Sequence, residues 1–411
     1  MTGQMGKRAI IVGAGPAGLC AAEVLAQAGW RVAIHERMPN PARKFLLAGR
    51  GGLNITHSEP LEAFLSRYGP SQERGARDQL EPAIRAFTPD DLRVWCDGLG
   101  IETFVGSSGR VFPKQMKATP LLRAWLARLD ALGVQLVSRS RWTGWRGEAL
   151  TLETPDGVRE ETPDAVIFAL GGASWPRLGS DGSWVEAFAA RGVEMTPLRA
   201  ANSGFTVTWS DLFRDRFAGQ PVKPAEFYFS PGLDSYRIRG EAIITRDGIE
   251  GGAIYALAAP LRENIAYRGR AYLTIDLSPD QPEDKLADRL ASGLKTSMAN
   301  RLRKAGLSPL VANLVREDTS REPLPVEPLA LARRIKCCTI RLTGTAPIAR
   351  AISTAGGISW SAVNADYSLK AIPRTFVAGE MLDWEAPTGG YLLQACFATG
   401  RAAAMGVLAS A

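Results

Sequence analysis

Histidine is nearly absent from this chain. His35 and His57 are the two in 411 residues, and with no ligand spacing between them the sequence offers no metal site. The five cysteines, Cys20, Cys96, Cys337, Cys338 and Cys396, form no C-x-x-C pair, which excludes a redox dithiol of the disulfide-reductase kind. Their sparse use fits a reducing cytoplasm, and the adjacent Cys337 and Cys338 read as two thiols in a half-buried segment. No run approaches the ~20 apolar residues of a membrane span. Met1–Arg8 has no long apolar core of the signal-peptide type, and Ala9–Val12 is too short for one and reads as a strand. Repeats and low-complexity tracts are also missing. The expectation is a cytoplasmic protein with no membrane association.

What is present is ordinary for a soluble enzyme. Apolar residues make up 45% and charged residues 22%, and the length suits two or three domains. The formal charge of +7 fits a mildly basic enzyme with an anionic cofactor. It is also compatible with an acidic partner such as RNA.

The order of elements begins as a βαβ unit. Arg8–Val12 is an apolar strand ending in glycines, Ala17–Ala28 a helix closed by Gly29, and Trp30–His35 a second strand ending at Glu36. Pro39–Thr56 is a glycine-rich basic loop. Pro89–Leu99 and Thr119–Leu132 read as helices. Val134–Ser138, Trp142–Trp145 and Ala149–Thr154 read as the short strands of a meander, with Pro155-Asp156-Gly157 as a turn. Asp164–Leu170 is a buried strand running into Gly171 and Gly172. From Pro197 to Ala346 the pattern changes to an insert. Gly204–Trp209, Glu226–Phe229, Tyr236–Thr245, Gly252–Leu257 and Ala271–Leu277 suggest strands. Pro282–Leu294, Thr296–Ala305, Pro309–Glu317 and Leu329–Cys338 suggest helices. The expected domains are 1–196 and 347–411 for one split domain and 197–346 for the insert, β-rich over 197–280 and helical over 281–338. Residues 301–350 carry ten Lys and Arg (Arg301, Arg303, Lys304, Arg316, Arg321, Arg333, Arg334, Lys336, Arg341, Arg350) against four acids. This is either a solvated face or a surface for a polyanion.

Gly13-Ala14-Gly15-Pro16-Ala17-Gly18 follows a strand and opens a helix, the context that gives G-x-G-x-x-G its meaning. Gly13 makes the tight turn, Gly15 lets the backbone approach a pyrophosphate, and Gly18 lets helix and strand pack. The helix N-terminus offers free N–H groups to phosphate. Glu36 stands where an acid accepts from ribose hydroxyls, with Arg37 beside it. This motif does not separate FAD from NAD. A second segment does: Thr375–Val377 is a strand followed by Gly379 and carboxylates, of which Asp383 is the expected contact to the ribitol or pyrophosphate arm and Glu380 the alternative. Either can instead cap a turn. Thr388-Gly389-Gly390-Tyr391 then opens an apolar helix, Leu392–Leu408. Its N-terminus suits the flavin edge where negative charge grows on reduction, an effect of roughly 0.3–1 kcal/mol.

On these segments the chain resembles the bacterial BaiN/RdsA-type NAD(P)/FAD-dependent oxidoreductases, also called aminoacetone-oxidase-family flavoproteins. The similar blocks are Val12–Gly18, Lys44–Asn54, Phe112–Ala118, Ala169–Pro176 with Gly179–Gly182, Gly240–Thr245, Thr354–Gly357 and Gly379–Gln394. The resemblance implies an α/β fold: a Rossmann-type FAD-binding domain with a β-meander, interrupted by an inserted α+β domain with a β-barrel-like part and a helical bundle. It implies FAD with NAD(P)H as reductant, and reduction of an activated C=C bond in a steroid-like enone or in an RNA uracil. One departure stands out: where many relatives have Gly-Gly-Gly-Arg-Cys-Asn, this chain has Gly49-Arg50-Gly51-Gly52-Leu53-Asn54, so a mechanism using that thiol is unavailable.

The expected cofactor contacts are therefore Gly13 to Gly18, Glu36, Arg37, Lys44, Gly51, Gly52, Leu53, Asn54, Gly171, Gly172, Gly379, Glu380, Asp383, Gly389, Gly390, Tyr391 and Leu392. The candidate catalytic residues are Tyr391, His57 and Asn54, with Thr56 as a further polar group. His57 is a proton donor or a loop cap. Tyr391 donates or stacks. Lys114 and Lys117 bind an anionic substrate or face solvent, and Trp175 walls the pocket or fills core. The substrate is a small molecule or RNA. The expected function is hydride transfer from NAD(P)H through flavin N5 to an activated C=C or C=N bond. The alternatives are an RNA-modifying flavoenzyme making dihydrouridine and a flavin-bound sensor or scaffold without turnover.

Overall fold

The computed structural model describes residues 6–69, 76–320 and 322–411. The chain forms two compact units, Met1–Arg199 with Ser353–Ala411, and Ala200–Ile352. The sequence places the insert at 197–346. The limits differ because the strand Met195–Ala201 runs through position 197, and the turn Ile348–Arg350 stays with the insert. Composition marks where the chain changes character, whereas packing decides where one core ends.

The first unit is built on a five-stranded sheet. Its order is Thr375–Val377, Ala165–Phe168, Arg8–Val12, Arg31–Glu36 and Gln135–Ser138, and every pair is parallel. Ala9–Val12 and Ala165–Phe168 at its centre are apolar and buried because both faces are covered. Gln135–Ser138, read from sequence as part of the meander, belongs instead to the edge of this sheet. An apolar run of four residues does not say which sheet it joins, but the preceding helix Ala118–Ala131 makes it a crossover strand. The meander consists of Arg141–Arg146, Ala149–Thr154 and Gly157–Glu161. The last of these is polar and carries no period-two signal.

The helix Pro16–Gln27 is apolar nearly all round, with Leu19, Ala21, Ala22 and Leu25 fully buried. It is buried on several sides, because the C-terminal helix Tyr391–Ala409 lies on it. A Cβ added at Gly400 would stand 2.2 Å from the carbonyl oxygen of Ala17. This 19-residue helix is long and apolar enough to cross a membrane, which corrects the expectation that no segment is. Its Ala395, Phe397, Ala403 and Val407 are buried in the core of the unit. A carboxylate, Glu23, is also buried there. It accepts from Trp95 Nε1 (3.2 Å), Trp125 Nε1 (2.7 Å) and Arg128 Nη1 (3.0 Å), so the charge is satisfied and three helices are tied to one point.

The second unit has its own core. Its seven-stranded sheet runs Cys338–Leu342, Ala271–Asp276, Pro221–Phe229, Tyr236–Thr245, Gly248–Glu250, Phe205–Thr206 and Gly344–Thr345. The first and last strands are one stretch interrupted at Thr343, so residues 338–345 pair at both ends and close the sheet on itself. Helices Glu283–Ala291, Met298–Lys304, Pro309–Leu314 and Pro328–Lys336 pack their leucines into the same core. Gly252–Leu257 was expected as a strand; it is the helix Gly252–Ala256. A short, continuously apolar run does not separate the two by period.

Part of the basic tract at 301–350 is ion-paired or buried within this unit. Arg301 is buried and donates to the carbonyls of Leu290 and Val326. Arg333 pairs with Glu283, Arg334 with Asp318, and Lys336 with Asp276. Arg321 lies outside the described residues. All five cysteines are free thiols, Cys337 exposed and Cys338 buried.

His35 is buried on the second strand, with Nδ1 2.8 Å from Ser140 Oγ. Burial first, then the charges of Arg8 and Arg159, hold its pKa down at about 4 against an ordinary 6.5. Between these values the unfolded chain binds a proton that the folded chain refuses. Stability is therefore full above pH 6.5 and is lost progressively as pH falls to about 4. Urea unfolding measured across this window will show that slope, and His35→Asn will reduce it by up to one proton. An unchanged slope in the variant rules the account out.

Candidate flavin site

The turn after the first strand divides its three glycines by role. A Cβ at Gly13, whose φ is +105°, would lie 2.3 Å from the Ala169 carbonyl oxygen, and one at Gly18 would lie 2.0 Å from that of Gly13. At Gly15 an added Cβ meets nothing within 4 Å. The outer glycines are required by the protein's own packing, and the middle one faces open space. No side chain caps the helix that starts there, so its first N–H groups are directed at that space. The turn is braced from the second strand: Glu36 accepts from Ala14 N (2.9 Å) and Met38 N (2.8 Å). Burial raises the Glu36 pKa, and these two N–H groups with Arg37 offset part of the rise. The Arg37 guanidinium reaches Asp181 at 2.8 Å. Burial works against the Asp181 charge, but Arg37 and Ser183 outweigh it and hold that pKa low.

The fold brings the distant second segment to the same place. Lys44 Nζ donates to Glu380 Oε2 (2.6 Å) and to Ser174 Oγ (2.7 Å), and Glu380 Oε1 accepts from Thr354 N (2.9 Å). Thr354 Oγ1 in turn accepts from Ala173 N (2.9 Å), and a Cβ at Gly172 would lie 2.4 Å from it. Gly171, Gly172, Lys44, Gly379 and Glu380 thus form one cluster. Asp383 is placed differently. It is buried, with its carbonyl accepting from Trp360 Nε1 (2.8 Å), so Glu380 is the carboxylate in the Lys44 cluster.

The glycine-rich loop carries Gly51 and Gly52 to Leu53, which is fully buried and donates its N–H to Met116 O (3.1 Å). Leu53 is core, with no chemistry of its own. Asn54 Nδ2 donates to the carbonyls of Thr56 (2.8 Å) and Val111 (3.1 Å). Thr56 Oγ1 is buried and, among the described residues, has no hydrogen-bond partner. Against Thr56 lies Gly390: its φ is +97°, and an added Cβ would be 2.5 Å from Thr56 Cα. The C-terminal helix begins directly after it, uncapped by any side chain, with Gly389 before it and Leu392 half-buried in its first turn.

Tyr391 is buried between Phe64 and His57, ring centroids 4.8 and 5.5 Å away. Its hydroxyl donates to Glu59 Oε1 at 2.6 Å, and burial followed by this bond pushes its pKa far up. His57 Nδ1 accepts from Glu59 N (3.1 Å), which puts the ring proton on Nε2, bonded to Ser108 O (2.9 Å). Both ring nitrogens are thus engaged by backbone. Lys114 pairs with Glu102, and both it and Lys117 are exposed. Trp175 is left-handed (φ 63°) and 36% exposed. Glu59, Arg67, Tyr68 and Asp181 escaped the sequence reading because each is a lone polar residue whose partner, apart from nearby contacts such as Glu59 with Arg67, lies in a distant segment. The exception in signal is Asp181, which stands inside the Gly179–Gly182 block.

These features fit FAD. The pyrophosphate suits the open face of Gly15, a ribose suits Glu36, and the ring suits the second helix N-terminus with Thr56 Oγ1 beside it. Gly15→Ala is therefore expected to keep the native melting temperature while flavin affinity falls at least tenfold, about 1.4 kcal/mol. Gly18→Ala, forced against a carbonyl oxygen, is expected to lose about 1–3 kcal/mol of stability as well. Flavin-to-protein absorbance ratios and thermal melts read both. A Gly15→Ala protein with full flavin content sinks this reading of the turn.

The chain matches the profile of the HI0933-like protein Rossmann domain over residues 7–406. It is 26% identical to the 3-dehydro-bile acid delta(4,6)-reductase of Clostridium scindens, covering 95% of this chain and 96% of that protein. It is 23% identical to the ribosomal RNA dihydrouridine synthase of Escherichia coli, covering 98% of each. Among solved structures, 3-ketosteroid delta1-dehydrogenase from Sterolibacterium denitrificans shares the fold, with a TM-score of 0.54, 13% identity and coverage of 99% of this chain and 100% of that one. With the glycine turn, the second helix N-terminus and a profile match of this extent, the chain belongs to the HI0933-like family of Rossmann-domain, FAD-dependent oxidoreductases.

Proposed function

We propose that this protein takes hydride from NAD(P)H and delivers it, through bound FAD, to an activated C=C bond. The observation that carries this reading is the pair of uncapped helix N-termini in one unit, after Gly15 and after Gly390, joined by the Lys44–Glu380 contact. Two relatives add the bond type: one is named a delta(4,6)-reductase and the other a dihydrouridine synthase, and both names describe saturation of a conjugated C=C.

Bound FAD supplies hydride transfer at its N5. The rest belongs to the chain. The N–H groups after Gly15 hold the phosphates, and Glu36 accepts from the ribose. Lys44, neutralised by Glu380, fixes the strand end beside them. The dipole of the C-terminal helix favours the ring edge that gains negative charge. Asn54 commits its amide hydrogens to two carbonyls, leaving Oδ1 as an acceptor for a ring N–H. Tyr391 donates its hydroxyl hydrogen bond to Glu59 and His57 its Nε2–H hydrogen bond to the Ser108 carbonyl, so in this arrangement both act as walls and ties of the pocket. The proton taken by the second carbon then comes from water or from the substrate's own surroundings.

A small conjugated substrate is favoured over RNA, because Arg333, Arg334 and Lys336 of the basic tract are already ion-paired. Purified protein is expected to be yellow and to bleach anaerobically with NADH or NADPH. Reoxidation by a conjugated enone, with no loss of dihydrouridine in rRNA from a deletion strain, separates the two substrates. Protein that takes up no FAD, or whose flavin neither nicotinamide reduces, ends the proposal.

A further inference from the structure

The start of the C-terminal helix is gripped by a charged pair that the cofactor contacts do not use. Tyr391, its first residue, donates its hydroxyl to Glu59 Oε1 at 2.6 Å, while its carbonyl accepts from Tyr68 Oη at 2.8 Å. Arg67 holds the same carboxylate with Nε at 3.0 Å and Nη2 at 2.7 Å. His57 Nδ1 stands 4.0 Å from Glu59 Oε1. The Glu59 side chain is 11% exposed and that of Arg67 50%, so the negative member is the less screened of the two. Glu59 also lies three residues after Thr56, whose backbone touches Gly390. It does not cap the helix, which has no side-chain cap. It is a charge held beside a helix N-terminus by side chains alone.

A carboxylate beside a helix N-terminus offsets the positive end of the dipole, and a guanidinium on the carboxylate restores it. We propose that the Glu59–Arg67 pair, clasped to Tyr391, sets the potential at the start of the C-terminal helix and with it the reduction potential of the flavin bound there. This rests on the flavin reading given above. The two members act with opposite sign. Without the Arg67 charge, Glu59 is uncompensated and disfavours the more negative reduced ring. Without the Glu59 charge, Arg67 favours it. A pair that merely braced the fold would not produce shifts of opposite sign.

The test uses the FAD-loaded full chain and its Arg67→Gln, Arg67→Lys and Glu59→Gln variants. The flavin midpoint potential is read by anaerobic equilibration with a reference dye, and FAD affinity is read by fluorescence. Arg67→Gln is expected to shift the reduction equilibrium three- to tenfold toward oxidised flavin, up to about 30 mV for a two-electron couple. Glu59→Gln is expected to shift it by a similar factor toward reduced flavin, and Arg67→Lys to stay within twofold of the parent. Arg67 is half-exposed, so its variants report even if Glu59→Gln folds poorly. Shifts of the same sign, or an Arg67→Gln shift below twofold with FAD bound, overturn the inference while leaving the flavin reading intact. A parent protein that binds no FAD overturns both.

Discussion

The fold of the first unit depends on one close approach. Gly400 sets its Cα against the Ala17 carbonyl with no room for a methyl group. That contact lays the C-terminal helix on the first helix, although the whole second unit lies between them in sequence. It is sustained by dispersion and burial over the two helices, which are apolar over most of their surface for this reason. Both helices start in glycine turns, so the approach also brings two uncapped N-termini into one unit. A dinucleotide with phosphates at one end and an electron-accepting ring at the other has the complementary charge distribution.

Charge in this unit is arranged in closed groups. Glu23 is enclosed by two indoles and an arginine, Lys44 by Glu380 and Ser174, and Glu59 by Arg67 and Tyr391. Each group ties segments far apart in sequence or neighbouring ones across a turn, and none leaves a bare buried charge. Neither helix start carries a side-chain cap, so the N–H groups of both are open to an anionic cofactor. The second unit follows the same rule. Its basic tract reads in sequence as either a solvated face or a polyanion surface, and three of its cations, Arg333, Arg334 and Lys336, face acids of their own unit.

The dinucleotide turn, the parallel core strands, the Thr375–Val377 strand and the C-terminal helix were legible in the sequence. Each is decided locally, by a run of apolar residues of the right length bounded by glycine. The insert was legible as a change of pattern, with its ends displaced by a few residues. Gly252–Leu257 and Val134–Ser138 were misplaced, since short apolar runs carry neither a period nor a partner. Sequence likewise missed Glu59 and Arg67, which have meaning only once residue 391 stands beside them.

By itself the sequence determined the cofactor class, because G-x-G-x-x-G after a strand and a second glycine turn before an apolar helix are local patterns with local physical requirements. It also places Leu53, which carries no thiol, between Gly52 and Asn54. The tertiary structure decided which residues share the site: that Glu380 joins Lys44 while Asp383 is interior, that His57 and Tyr391 are already hydrogen-bonded, and that a charged pair stands at the helix start. These depend on side chains meeting across long stretches of chain, and the order of residues does not encode such meetings until the core has packed.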